Sequence, residues 1–75
     1  MDDALNKAIL AAHDDANFMM LADLYRQAGE LAEARDDIDE ACFFFTTAYV
    51  FALDTGQEKL SADLHKKLVD YSREE

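Results

Sequence analysis

Residues 30–56 read ELAEARDDIDEACFFFTTAYVFALDTG, and this stretch decides the fold. It holds no proline and no glycine before Gly56, so by composition nothing in it stops a helix once begun. The reading predicts one rod of about 25 residues and roughly 37 Å. At 100° per residue Leu31, Ala34, Ile38, Ala41, Cys42, Phe45, Tyr49, Ala52 and Leu53 share one stripe, which is expected to face the core. The reverse side carries Glu33, Asp36, Asp37 and Glu40, then Phe43, Phe44, Val50 and Phe51. The back of the rod therefore changes from acid to aromatic at residue 43.

On either side of this rod, three more helices are expected. The first spans about residues 3–13, capped by Asp2 or Asp3, with a narrow stripe of Leu5, Ala8, Ile9 and Ala12. The second is capped by Asp14 or Asp15 and ends at Gly29, the residue type that most easily takes the left-handed position closing a helix. Its apolar arc of Phe18, Met20, Leu21, Ala22, Leu24, Tyr25 and Ala28 leaves Met19, Asp23, Arg26 and Gln27 opposite. The fourth runs to about Ser72 with Leu60, Leu64, Leu68 and Tyr71 on one stripe. Thr55 and Glu58 have capping-box spacing while Gly56 suits a helix end, which leaves that boundary open. Short connections imply an antiparallel arrangement.

Composition agrees with an all-α reading and narrows the function. The 75 residues suffice for one small domain, residues 1–75, and the absence of proline with only two glycines disfavours the many turns of an all-β fold. Seventeen acids against seven Lys plus Arg give a net charge of -10, which argues against direct binding of a phosphate backbone. The charge is uneven. Residues 1–40 hold eleven acids and three bases, -8, whereas residues 57–75 hold five acids and four bases, -1. Cys42 is the single cysteine, the start Met1-Asp2-Asp3 is acidic, and the longest nearly uncharged stretch, Ala41 to Leu53, falls well short of a bilayer span. A cytoplasmic protein with no membrane or nucleic-acid partner is expected.

Residues 15–48 resemble one tetratricopeptide repeat, a helix-turn-helix unit of about 34 residues. Phe18 stands where the family usually has tryptophan, Leu21, Ala22 and Tyr25 follow at the family's spacing, and Gly29 lies in the turn. Ala34, Ile38 and Ala41 match the small, large, small positions of the second helix. Thr46 replaces the proline that commonly ends that helix, which lets it run on by about ten residues. The resemblance implies four helices around a single tetratricopeptide-like hairpin with an extended second helix. It also implies protein-protein recognition on an inner surface presenting Met19, Asp23, Arg26 and Gln27. Met19 and Asp23 stand where members that clamp a C-terminal carboxylate need lysine and asparagine, so that specialisation is not expected.

No catalytic, cofactor-binding or metal-binding set is expected. Neither His13 nor His65 has a glutamate three residues earlier, as a di-iron bundle needs. The acids from Asp36 to Glu40 lack the glycine of a calcium loop. Cys42, on the inward stripe, reads as a buried thiol. The feature that points to function is Phe43-Phe44-Phe45, because adjacent helical side chains diverge by about 100° and one neighbouring helix cannot cover all three. Phe43, Phe44, Val50 and Phe51 are the expected patch for a protein partner, making the chain a homo-oligomer or a subunit of a larger complex. The alternative is an acidic regulator that mimics nucleic-acid charge toward a basic protein through Asp36, Asp37, Asp39 and Glu40.

Overall fold

The computed structural model describes residues 3–72. They form α1 (Asp3–Asp14), α2 (Phe18–Ala34), α3 (Ile38–Asp54) and α4 (Glu58–Asp70), and no strand occurs among the described residues. The all-α class and the four helices are as expected. The division of the middle of the chain is not: the rod expected over residues 30–56 is broken at residues 35–37, and Gly29 lies inside α2 instead of ending it. α3 does continue past Thr46, to Asp54. The turn of the hairpin therefore falls after Ala34 and not at Gly29, where the repeat resemblance puts it.

The break has a local cause. Asp36 takes a left-handed conformation (φ 60°), a role more often filled by glycine but open to Asp and Asn, whose short polar side chains bond locally. The Asp37 amide then donates to Ala32 O at 3.0 Å and closes α2 with a Schellman-type bond. The Asp37 carboxylate accepts from the Glu40 amide at 3.2 Å and caps α3. The same device recurs every twenty residues. Ala16 (φ 51°), Asp36 and Gly56 (φ 70°) occupy the left-handed position. The amides of Asn17, Asp37 and Gln57 bond to the carbonyls of Ala12, Ala32 and Ala52 at 2.8, 3.0 and 2.9 Å. All three alanines are buried. Gly56 thus belongs to the turn, and Gln57 is the N-terminal cap residue of α4. Of the two readings left open there, the helix end at Gly56 holds and the Thr55 capping box does not form; the Thr55 hydroxyl donates to Phe51 O at 2.7 Å.

Two clusters make the core, and their membership defines the architecture. One joins Leu5, Ile9 and Ala12 of α1 to Leu21, Leu24 and Ala28 of α2 and Phe44 of α3. The other joins Ala22 and Ala32 of α2 to Cys42, Phe45 and Ala48 of α3 and Leu64 and Leu68 of α4. Each helix triplet in sequence order, α1-α2-α3 and then α2-α3-α4, closes one triangular core. The Cα extents are 33 × 29 × 14 Å. Two helix layers about 8–10 Å apart, each about 4.6 Å across at Cα, account for the shortest dimension. The result is a flat two-layer strip.

Close approach of α2 and α3 depends on a missing side chain. A Cβ on Gly29 would lie 2.4 Å from Cε1 of Phe45, so the glycine serves ring packing. Phe45 is fully buried, and burying such a ring contributes about 1.5–3 kcal/mol. On its other flank Lys67 Nζ lies 4.9 Å from the ring centroid. The break moves Leu31 and Ala34 from the expected core stripe into α2, where both are exposed, and Leu53 is exposed in the last turn of α3.

Glu33 ties α2 to α4. Its carboxylate accepts from Lys67 Nζ at 2.6 Å and from the Tyr71 hydroxyl. Partial burial pushes the Glu33 carboxyl up, but these two hydrogen bonds outweigh it and hold the group below the ordinary glutamate value. The same bond to Glu33 pushes the Tyr71 hydroxyl up to about 12.

Candidate functional site

The four residues expected to form one aromatic patch divide into two pairs. Phe43 is 66% exposed and Val50 49%, seven residues apart on the outer side of α3. Phe44 is only 9% exposed and belongs to the core shared with α1 and α2, and Phe51 is half-buried. The helix that covers Phe44 is α1, through Leu5, Ile9 and Ala12, whereas α4 covers the opposite flank through Leu64 and Leu68. Phe44 and Phe51 are therefore corrected from surface residues to packing residues.

The pairs remain connected through a row of rings. Phe18 stacks on Phe51 with centroids 5.8 Å apart, Phe51 on Tyr25 at 6.0 Å, Tyr25 meets Phe44 at 6.1 Å and Phe44 meets Phe43 edge-on at 5.6 Å. Each spacing falls in the range where aromatic pairs add about 0.5–1.5 kcal/mol beyond simple burial. His13 of α1 closes the row from outside, with Nε2 3.0 Å from the Tyr25 hydroxyl and its ring edge-on to Tyr25 and Phe51. Both ends, Phe18 and Phe43, are exposed, and they rest on the half-buried Phe51 and the buried Phe44 respectively.

Met19, Asp23 and Arg26 lie along one face of α2, at positions i, i+4 and i+7, turned toward α4. Three adjoining hollows of about 380, 470 and 420 Å³ run along this side and share Asp23, Leu60, Asp63 and Gln57 among their walls. Gln57 Nε2 spans the trough to Met19 O at 3.3 Å. Arg26 donates to Asp23 at 2.5 Å and to Glu30 at 2.8 Å, and Gln27 Nε2 donates to Asp23 at 2.9 Å. The hydrogen bond from Arg26 is the main reason that the Asp23 carboxyl is held below its ordinary value, and the same contact raises Arg26. The polar groups of this face are thus already engaged with one another, and Met19 is its exposed apolar member.

A further hollow of about 550 Å³ lies between α1 and α2, lined by Ala4, Leu5, Ala8, Leu24 and Leu31 with Gln27 and Glu30. The sequence reading missed it because Leu31 was assigned to the core stripe of an unbroken rod. The signal that finds it is the twenty-residue spacing of the turns, which was present in Ala12, Ala32 and Ala52.

Among the described residues no group of three His, Cys, Asp or Glu side chains is placed to hold a metal ion. Cys42 is a buried free thiol. No helix of the described residues is long and apolar enough to cross a membrane. No protein-family model matches the chain, nor does any curated protein or solved structure.

Proposed function

We propose that this chain is a protein-protein interaction or assembly module that meets its partner through the outer face of α3, with Phe43 as the anchor and Val50 beside it. One observation carries the reading: Phe43 holds most of its ring in water while it packs edge-to-face with Phe44, so a large apolar group is displayed beside the buried core. A large exposed aromatic ring is the residue type that most often anchors an interface. The trough carrying Met19, Asp23 and Arg26 is the second surface of the module, and the tetratricopeptide-like resemblance favours the same use. Charge mimicry of nucleic acid is less well supported, since Asp37 caps α3 and Glu40 pairs with Arg35 at 3.0 Å. A cytoplasmic location is part of the proposal, supported by the unpaired thiol of Cys42.

The test compares proteins retained from the native cell extract by the wild-type chain and by Phe43→Asp combined with Val50→Asp. Both positions are exposed, so the variant is expected to keep the wild-type circular dichroism. Retention of a specific protein by the wild type and its loss with the folded variant is the expected result. Identical retained sets would overturn the proposal.

A further inference from the structure

We propose that copies of this chain join head to tail, the α4 edge of one copy entering the α1–α2 groove of the next and continuing the strip. This goes beyond the α3 face above and uses different residues. The turns repeat every twenty residues. α1 is held inside the molecule against Leu24, Tyr25 and Ala28 of α2 and Phe44 and Phe51 of α3. Shifted back by twenty residues, Leu24, Ala28, Phe44 and Phe51 become Ala4, Ala8, Leu24 and Leu31. These four line the open groove between α1 and α2. The groove is therefore the seat of α1 repeated one helix earlier, with Leu31 39% exposed in it.

The other end of the strip offers the matching edge. α3 receives α4 through Cys42, Phe45, Tyr49 and Ala52. Shifted forward by twenty, these positions are Ala62, His65, Val69 and Ser72. Val69 is 40% exposed, and His65 lies 5.8 Å from the half-buried Tyr49 ring. The two ends complement one another in size, since small Ala4 and Ala8 on α1 would meet Val69 and Tyr49. Seating α4 in the groove also covers the exposed Leu31.

Charge selects the second copy's α4 over its α1–α2 end. Residues 3–34 carry six acids and two bases, -4, while Glu58–Asp70 carries three of each, 0. A two-fold pairing of the α1–α2 ends would set -4 against -4, whereas head-to-tail contact sets -4 against a neutral helix that brings Lys66 beside Ala62 and Val69. A heterologous contact of this kind leaves one free end on each side, so growth is open-ended.

Sedimentation equilibrium of the full chain from low micromolar to millimolar concentration tests the proposal. The wild type should gain mass continuously beyond a dimer. Leu31→Asp removes one end and Val69→Asp the other, so each alone should weaken association by roughly tenfold or more. Mixed in equal amounts, the two variants should form a dimer and nothing larger, because one intact head then meets one intact tail. Phe43→Asp should leave the mass series unchanged. A wild type that stays monomeric or stops at a dimer overturns the proposal. So does a single variant that associates as well as the wild type, a mixture that stays monomeric, or association lost in Phe43→Asp. Ala8→Glu and Lys66→Glu form a second pair for the same mixing experiment if circular dichroism shows that an aspartate variant is unfolded.

Discussion

Gly29→Ala tests the packing of α2 on α3 with opposing effects that can be weighed. In an ordinary helix interior this substitution stabilises by about 0.5–1 kcal/mol, because alanine loses less backbone freedom. Here the added Cβ would sit 2.4, 2.6 and 2.9 Å from three atoms of the Phe45 ring. Carbon atoms in contact lie about 3.5–4.0 Å apart, so the ring must retreat by roughly 1 Å. Phe45 is fully buried in the cluster with Ala32, Ala48, Leu64 and Leu68, and protein cores of this kind are close-packed. Overpacking of this kind costs about 1–3 kcal/mol, which against the helix gain leaves a net loss of up to about 2.5 kcal/mol. For a domain of this size that lowers Tm by about 4–8 °C for each kcal/mol. Phe45→Leu removes the obstructing ring edge, and in that background Gly29→Ala should be neutral or stabilising. Urea unfolding of the four proteins at constant m-value reads the coupling directly, expected at about 2 kcal/mol. A Gly29→Ala protein more stable than the wild type would refute the reasoning.

The remaining predictions concern the rings, the turns and the α2–α4 tie. Phe44→Ala should cost about 3–5 kcal/mol, whereas Phe43→Ala should stay within about 0.5 kcal/mol of the wild type, both by urea denaturation. Ala16→Gly relieves an alanine held at φ 51° and should raise stability by roughly 0.5–1 kcal/mol. Glu33 has a lowered pKa in the fold, so its contribution is present above the unfolded value of about 4.5 and is lost as pH falls through the folded one. Glu33→Gln should cost about 0.5–1 kcal/mol at neutral pH and shrink that acid-side loss, measured as urea midpoint against pH. Tyr71 is shifted the other way, so its bond to Glu33 stabilises below pH 10.0 and fades as pH rises toward about 12. Tyr71→Phe should remove that alkaline limb.

The helical class was legible because breakers are few and the apolar residues repeat at helical spacing. The face formed by Met19, Asp23 and Arg26 was legible for the same reason, since i, i+4 and i+7 share a side wherever the helix ends. The central boundary was not. Only two glycines were available as stop signals, and one of them, Gly29, is present so that the Phe45 ring can approach. The actual stop is Asp36, an aspartate in a conformation for which glycine is the usual marker. With the turn at residues 35–37, Leu31 belongs to α2 and lines the groove between α1 and α2 instead of joining the core stripe of α3. Phe44 and Phe51 read as surface residues because one neighbouring helix cannot cover three adjacent rings, and in the fold two helices share the task. α1, with Leu5 and Ile9, supplies the missing wall.

Hydroxyl-radical footprinting tests most directly the claim that the outer face of α3 is covered by another protein when the chain is at work. Phe43 should be heavily labelled in the dilute purified chain and protected in fresh native extract, while the exposed Leu10 on α1 labels equally in both. Equal labelling of Phe43 in the two settings, with Leu10 as the internal reference, would contradict the account.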